Sequence, residues 1–508
     1  MWVVVIVVLA GVAVAFAVAR WPGWLPIGSD NDEYQLVGSA LAAFEPPVVA
    51  GVEGTKYPLG YPFLLAVFEW LRLPVAPAAI ALNLVSVAVT AGLVAWVAGR
   101  ATPTTPASPG AALAAGGVVV SSVAVWDDAF SVMPEMLTLA VMAAMLAVIA
   151  VDHPEDLGPR LRILSVLAVA AVLLKTLAAL VLVGGVILVA LWSLWVRDRA
   201  AARGWGADAP GALRPLVPAA WATVVVLAGM LLMRPFPEHT TGYVATFFLQ
   251  DPFDASKGRL GPTGIIERAI ADVPATLANF GRAVTVVDAT REVGVAVALV
   301  ALGIGLVGAW RLRPRGPLGP FALGAVLAYT VGISVWPYYS LRFGVPLVPV
   351  SALGAGWLVR VLTDRIRSPL AGPLVGAAMV ATLVATSLPA AVERGVAAEE
   401  RLARQHAALE VLEGWVTAEL DAAQQLVSFD YREVAHHLDR EVAPLAYTED
   451  PEVLWSMVAQ VDADAVVMVD IHHARNRQLR MLLDAYPDRF EPALEGDGVG
   501  AWRVVAQG

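Results

Sequence analysis

The chain has 508 residues, 58% of them hydrophobic and 15% charged, with a formal net charge of −10 at pH 7 and no cysteine. An average soluble domain carries about 25% charged residues, so a wholly soluble fold is excluded, as are disulfides and thiolate metal sites. The acidity is local: residues 393–508 hold ten basic and twenty-two acidic side chains, a net −12, and the remainder sits at +2, which argues against a nucleic-acid partner.

In chain order, apolar runs fall at 2–19, 76–98, 111–125, 132–151, 161–174, 176–196, 215–233, 290–310, 318–336, 343–360 and 370–391. Their lengths predict a polytopic α-helical membrane protein of about eleven transmembrane helices. The first run contains Ala15-Phe16-Ala17, shaped like a cleavage site, but it lacks the basic start of a secretory signal and reads as a retained helix. The stretch 163–195 is interrupted only by Lys175 and Thr176. One helix of that length would reach about 50 Å against a hydrocarbon core of about 30 Å, so two helices are expected there.

Charge parity supports the division. With two helices in 161–196, the arginine-bearing segments at 100, 160–162, 197–214, 311–315 and 360–367 all fall on one side. Together they hold thirteen arginines, which marks that side as cytoplasmic. The sequence thus predicts a multi-pass protein of the cytoplasmic membrane with its N-terminus inside. Residues 1–392 form the membrane domain, and residues 393–508 form an extracytoplasmic α/β domain. The external loops are 20–75, 126–135, 234–289 and 337–342. All three lysines of the chain, Lys56, Lys175 and Lys257, map to this external face.

The same face receives "SDNDEYQ" (29–35), "TKYPLGYP" (55–62), "WDDAFSVMPE" (126–135) and "WPYYSLRF" (336–343). Buried acids without partners are costly, so Asp30, Asp32 and Glu33 form either a solvated loop or a site. Acids beside cations at the lipid boundary suit a substrate with a membrane-embedded tail and a polar head, such as a sugar on a lipid phosphate. Transfer of that sugar needs a carboxylate to take the proton of the attacking hydroxyl. It also needs fixed cations on the departing phosphate and aromatic side chains as sugar platforms.

Four patches carry a family resemblance: "DNDEYQLVGSALAAF" (30–44), "TKYPLGYPFLLA" (55–66), "VLLKTLAALVL" (172–182) and "YYSLRFGVPLVP" (338–349). In order, side and spacing they resemble the GT-C superfamily of integral-membrane glycosyltransferases, in the branch of the protein O-mannosyltransferases and lipid A aminoarabinose transferases. The resemblance implies a prenyl-phosphate-linked sugar donor, an extracytoplasmic lipid, glycan or protein acceptor, and an inverting transfer. It implies Asp30 as the general base, four positions before Tyr34, with Asp32 and Glu33 as alternatives. Lys56 and Arg342 fall where the family places cations on the phosphate. Lys175 either joins them or pairs with an acid, and Thr176-Leu177 stands where the family has glycine. Asp128 or Glu135 would position the acceptor, and Tyr34, Tyr57, Tyr61, Tyr338 and Tyr339 would line the head-group cavity. No cofactor is expected; Asp127, Asp128 and Glu135 are the carboxylates a divalent cation would use.

Loop 234–289 contains "TGYVATFFLQDPF" (241–253) and a helical pattern near 264–282, and the resemblance makes it a lid over the site. Beyond Leu388-Pro389 the pattern predicts a polar helix over 393–424, strands at 425–429, 464–470 and 502–506, and helices at 451–460 and 474–486. The tail has no glycine-rich phosphate loop, and His436-His437 and His472-His473 read as surface histidines, not a zinc site. The competing function is a transporter or flippase, which would place ionisable groups at the membrane midplane between repeated halves.

Overall fold

The computed structural model describes residues 2–505 except 50–51, 54–56, 102–105, 153–159, 176–177, 179, 183, 190, 193–247, 251–256, 285–288, 315, 337–339, 367, 369, 446–447 and 470–472. Among the described residues, six helices are long and apolar enough to cross a bilayer. They are α1 (Trp2–Arg20), α4 (Val75–Gly99), α10 (Arg291–Leu312), α11 (Leu318–Val335), the run Leu341–Asp364, and α13 (Ala371–Glu419). A bent pair, α5 (Pro109–Ser121) and α6 (Val123–Ala129), makes seven. The chain is a multi-pass membrane protein.

The eleven runs of the sequence do not all become full spans. α5 and α6 meet at 56° because Ser122 leaves the helix and caps α6, its hydroxyl accepting from Val125 N and donating to Ala283 O at 2.6 Å. α7 (Glu135–Ile149) and α8 (Leu161–Leu174) have 15 and 14 residues, about 22 Å at 1.5 Å per residue. α8 stops where the sequence places a break, with Lys175 extended at φ −152°. The run 215–233 and much of 176–196 lie outside the described residues.

Short elements cover one end of the bundle. α2 (Ser29–Ala42) and α3 (Gly60–Trp70) form a hairpin there, with β1 (Val48–Val49) and β2 (Val52–Glu53) between them. α9 (Pro262–Val284) packs on α10, α11 and the tight 3₁₀ turn Leu341–Leu347 that precedes α12 (Val348–Asp364). α9 leaves Ile266 and Ile270 exposed on its outer side.

α13 is 49 residues long, about 74 Å. The expected domain boundary at 392 falls inside it. The helix passes through Pro389, and its apolar stripe continues as Ala408, Leu409, Leu412 and Val416 into the core of the C-terminal domain. That domain is a five-stranded sheet in the order β4-β3-β5-β7-β6. β3 (Leu426–Ser428), β4 (Val442–Pro444) and β5 (Ala465–Val469) run parallel, and β7 (Val499–Val504) is antiparallel to β5 and to β6 (Phe490–Gly496). α13 and α14 (Tyr431–Leu438) cover one face, and α15 (Pro451–Gln460) and α16 (His473–Ala485) the other. The β6–β7 hairpin turns at Asp497-Gly498 with Gly498 at φ 75°, a residue pair that favours a two-residue hairpin turn.

Candidate active site

Asp30 stands in the first turn of α2. One of its oxygens accepts from the Tyr57 hydroxyl, and the other lies 2.9 Å from Arg342 Nη2. Tyr57 stacks on Tyr34 at 4.5 Å between ring centroids, and Tyr61 meets Tyr34 edge-on at 5.2 Å. Burial first, and then the charges of Asp30 and Glu33, hold the Tyr57 hydroxyl well above its ordinary range, so it stays protonated and donates. The stacked tyrosines join Leu65, Val132 and Leu174 in one small apolar cluster behind Asp30.

Arg342, near the start of the 3₁₀ turn, is the hub. Its Nη1 lies 3.9 Å from Glu135 Oε1 and 3.3 Å from Met133 Sδ, and its guanidinium sits 5.3 Å from the Phe343 ring centroid. Glu135, at the start of α7, is also bound by Lys175. Two local devices bring these pieces together. Asn31 Oδ1 accepts from Val132 N at 2.7 Å, tying α2 to the segment between α6 and α7. Gly60, at the start of α3, packs where a Cβ would stand 2.6 Å from Leu173 O, so the tyrosine cluster reaches the end of α8.

Beside Arg342 opens a cavity of about 540 Å³ lined by Ala124, Asp127, Asp128, Asn279, Arg282, Ala289, Ser340, Leu341, Arg342 and Arg394. Asp127 is clamped by Arg20 Nε at 2.6 Å and Arg394 Nη1 at 2.7 Å. Those arginines meet because Gly395 lets α13 approach α1; a Cβ there would stand 2.2 Å from Ala19 O. Arg282, at the end of α9, donates to Ala289 O at 2.9 Å. Asp128 is 6% exposed, and its Oδ2 is buried without a hydrogen-bond partner among the described residues. The cavity thus offers three guanidinium groups and a carboxylate oxygen at its wall.

The sequence-predicted residues separate into three sets. Asp30, Tyr34, Tyr57, Tyr61, Glu135, Lys175 and Arg342 converge, with Asp128 on the cavity side of Arg342. Asp32 and Glu33 turn toward the C-terminal domain: Asp32 Oδ2 accepts from Gly28 N at 2.9 Å, and Glu33 Oε2 lies 2.7 Å from Arg432 Nε. Lys56, Tyr338 and Tyr339 lie outside the described residues, as do most of 241–253 and His472. Asp127, Asp128 and Glu135 do not converge as cation ligands, and among the described residues no three metal-ligating side chains form a group. His436 Nε2 is 3.9 Å from Asp32 and His437 Nε2 is 3.4 Å from Glu413.

Sequence reasoning missed Arg20, Arg282, Arg394 and Arg432. A signal existed for two of them: Arg20 follows the first apolar run and Arg394 the last, so charge parity sets both on the side opposite the thirteen clustered arginines.

No protein-family model matches the chain, and no curated protein matches its sequence. Solved structures do match. ArnT from Cupriavidus metallidurans bound to undecaprenyl phosphate aligns over 99% of this chain and 98% of its own, at 14% identity and a TM-score of 0.58. The apo state of the same protein aligns at 15% identity and a TM-score of 0.55, over 99% and 97%. The archaeal oligosaccharyltransferase AglB from Archaeoglobus fulgidus, in complex with an inhibitory peptide and a dolichol-phosphate, aligns over 99% of this chain and 74% of its own, at 11% identity and a TM-score of 0.56. At such identities the likeness is one of fold alone, and with 99% of this chain covered it runs through both the helical bundle and the C-terminal sheet: this chain shares the fold of ArnT and AglB.

Proposed function

We propose that this protein is an integral-membrane glycosyltransferase that moves a sugar from a prenyl-phosphate donor to an acceptor on the extracytoplasmic side. The observation that carries the reading is Arg342, which touches Asp30 on one side and lines a cavity with Arg282, Arg394 and Asp128 on the other. A fold shared with proteins solved with undecaprenyl phosphate and dolichol-phosphate supports the lipid-phosphate donor. The N-terminus is then cytoplasmic, and the cavity and the C-terminal domain face outward.

In this scheme Asp30 takes the proton from the acceptor hydroxyl as its oxygen attacks the anomeric carbon. The bond from that carbon to the phosphate oxygen breaks, and the phosphate leaves with the bonding electrons. A single displacement inverts the anomeric configuration. Arg342, Arg282 and Arg394 stabilise the negative charge that grows on the phosphate, and fixed guanidinium groups do so without reorganising. Lys56 joins them in the reading. Tyr57 orients the Asp30 carboxylate, and Asp128 orients the acceptor by accepting from a hydroxyl. Lys175 holds Glu135 and so fixes the second carboxylate near Arg342. The roles of sugar platform and lid stay, in this reading, with Tyr338, Tyr339 and the segment 234–289, as the sequence resemblance implies.

The test is to incubate the purified protein, in lipid, with a panel of prenyl-phosphate sugars and acceptors and to follow both by mass spectrometry. The reading expects one donor to be consumed with the free prenyl phosphate as stoichiometric product. Net movement of a solute across sealed vesicles, with no glycosidic product from any donor, would establish the transporter instead.

A further inference from the structure

The C-terminal domain has a topological switch point. From β3 the chain passes through α14 on one face to β4, then returns through α15 on the other face to β5, which lies on the opposite side of β3. Open sheets of this kind form their ligand crevice beyond the carboxyl ends of the strands at that point. Here the first residues of α14, at the carboxyl end of β3, are directed onto the membrane domain. Tyr431, Arg432 and Glu433 are buried, and α2 packs against them. Glu33 of α2 is fully buried, with Arg432 Nε 2.7 Å away. Val37, one turn further along α2, shares the hydrophobic core of the sheet domain with Val434.

We infer that Arg432 is a positioning residue of the transfer reaction: by holding Glu33 it sets the rotation of α2 and thereby the geometry in which Asp30 meets Arg342. The inference rests on the reading of Asp30 as the base. Asp30 and Glu33 are three residues apart, neighbours on one helix surface. The N-cap of α2 is Gly28, which has no side chain to cap with, so the orientation of the helix depends on anchors along its length. Those anchors are Asn31 on Val132 N, Asp30 on Arg342 and Tyr57, and Glu33 on Arg432. The Tyr57 hydroxyl, which donates to Asp30, lies within the field of both Glu33 and Arg432. The C-terminal domain therefore supplies one of the fixed points of the base, Asp30.

The experiment uses the full chain in lipid and measures kcat, donor KM, retention of polyprenyl phosphate and melting temperature. Arg432→Gln is expected to lower kcat about 10- to 100-fold, the scale of a sub-ångström-to-ångström misplacement. Donor KM and polyprenyl phosphate retention stay within about twofold, as for a site distant from the phosphate. Arg432→Lys, which keeps the charge without the planar fork, recovers part of the rate. The Glu33→Gln/Arg432→Gln pair falls no further than either single change, because both remove one interaction. A wild-type kcat in folded Arg432→Gln would overturn the inference, as would rate losses that merely follow the folded fraction or that add in the double variant. Should Arg432→Gln not fold, Arg432→Lys and Glu33→Gln decide it on the same readouts. Asp30→Asn runs alongside: full transfer in that variant removes the reading of the base, whereas its inactivity beside fully active Arg432 variants removes only the positioning role.

Discussion

The two ends of the helical bundle use arginine in opposite ways. At one end Arg360 donates to Ala98 O at 3.0 Å, Arg100 O at 2.7 Å and Pro106 O at 3.2 Å. Arg313, 1% exposed, donates to Leu312 O and Val97 O and lies 3.6 Å from Asp152. These side chains close off carbonyls left open where helices and loops end. At the other end Arg20, Arg342 and Arg394 face carboxylates, and Arg342, Arg394 and Arg282 border a cavity. The difference lies in the neighbours: where the chain supplies mainly backbone acceptors and Asp152, arginine is consumed by structure, and where it supplies acids beside open volume, guanidinium groups border a cavity.

That contrast can be broken from either end. Arg342→Gln removes the hub and is expected to cut transfer about 10²- to 10³-fold, the range for losing a charge-stabilising group, and to weaken retention of polyprenyl phosphate. Arg282→Gln or Arg394→Gln should raise the donor KM about 10-fold, since each removes one charge-assisted contact; direct titration with polyprenyl phosphate checks this. At the opposite end, Arg360→Ala should leave kcat and donor KM unchanged while lowering stability by about 1–3 kcal/mol for the carbonyls it strands, read as a lower melting temperature.

A smaller effect sharpens the boundary between the bundle and the sheet domain. Asp32 is buried between α2 and α14, and burial first, then the Glu433 charge, holds its carboxyl well above the ordinary carboxylate range. Its contribution to stability is fully present below the ordinary value of about 3.9 and is lost as pH rises through the raised one. Asp32→Asn, neutral at every pH, should therefore raise the melting temperature at neutral and alkaline pH and flatten its pH dependence. Smallest of all, Arg503→Ala breaks the half-exposed pair with Glu419, 2.6 Å apart, and should shift stability by no more than about 0.5 kcal/mol.

The sequence made the convergence of Asp30 with Arg342, Lys175 and Glu135 legible because a bilayer forbids loose charges. Once charge parity assigns sides, the few remaining acids and cations are driven to one surface. The break at Lys175 was legible from length, since one helix over 163–195 would overreach the hydrocarbon core. Two things were not. Composition turns polar after Pro389, yet α13 crosses that point unbroken, because its apolar stripe passes from lipid-facing packing to sheet packing without needing a turn. The roles of Asp32 and Glu33 were hidden as well. Three acids in four residues read alike as letters, and only the packing around α2 gives Asp30 to Arg342 and Glu33 to Arg432, a partner in another domain.

The most direct measurement compares Asp30→Asn with the parent protein in lipid, recording sugar transfer and polyprenyl phosphate retention on the same preparation. The account predicts transfer lower by about 10²- to 10⁴-fold, the usual contribution of a general base, with retention of the lipid phosphate preserved. Transfer at the parental rate by folded Asp30→Asn protein would contradict it.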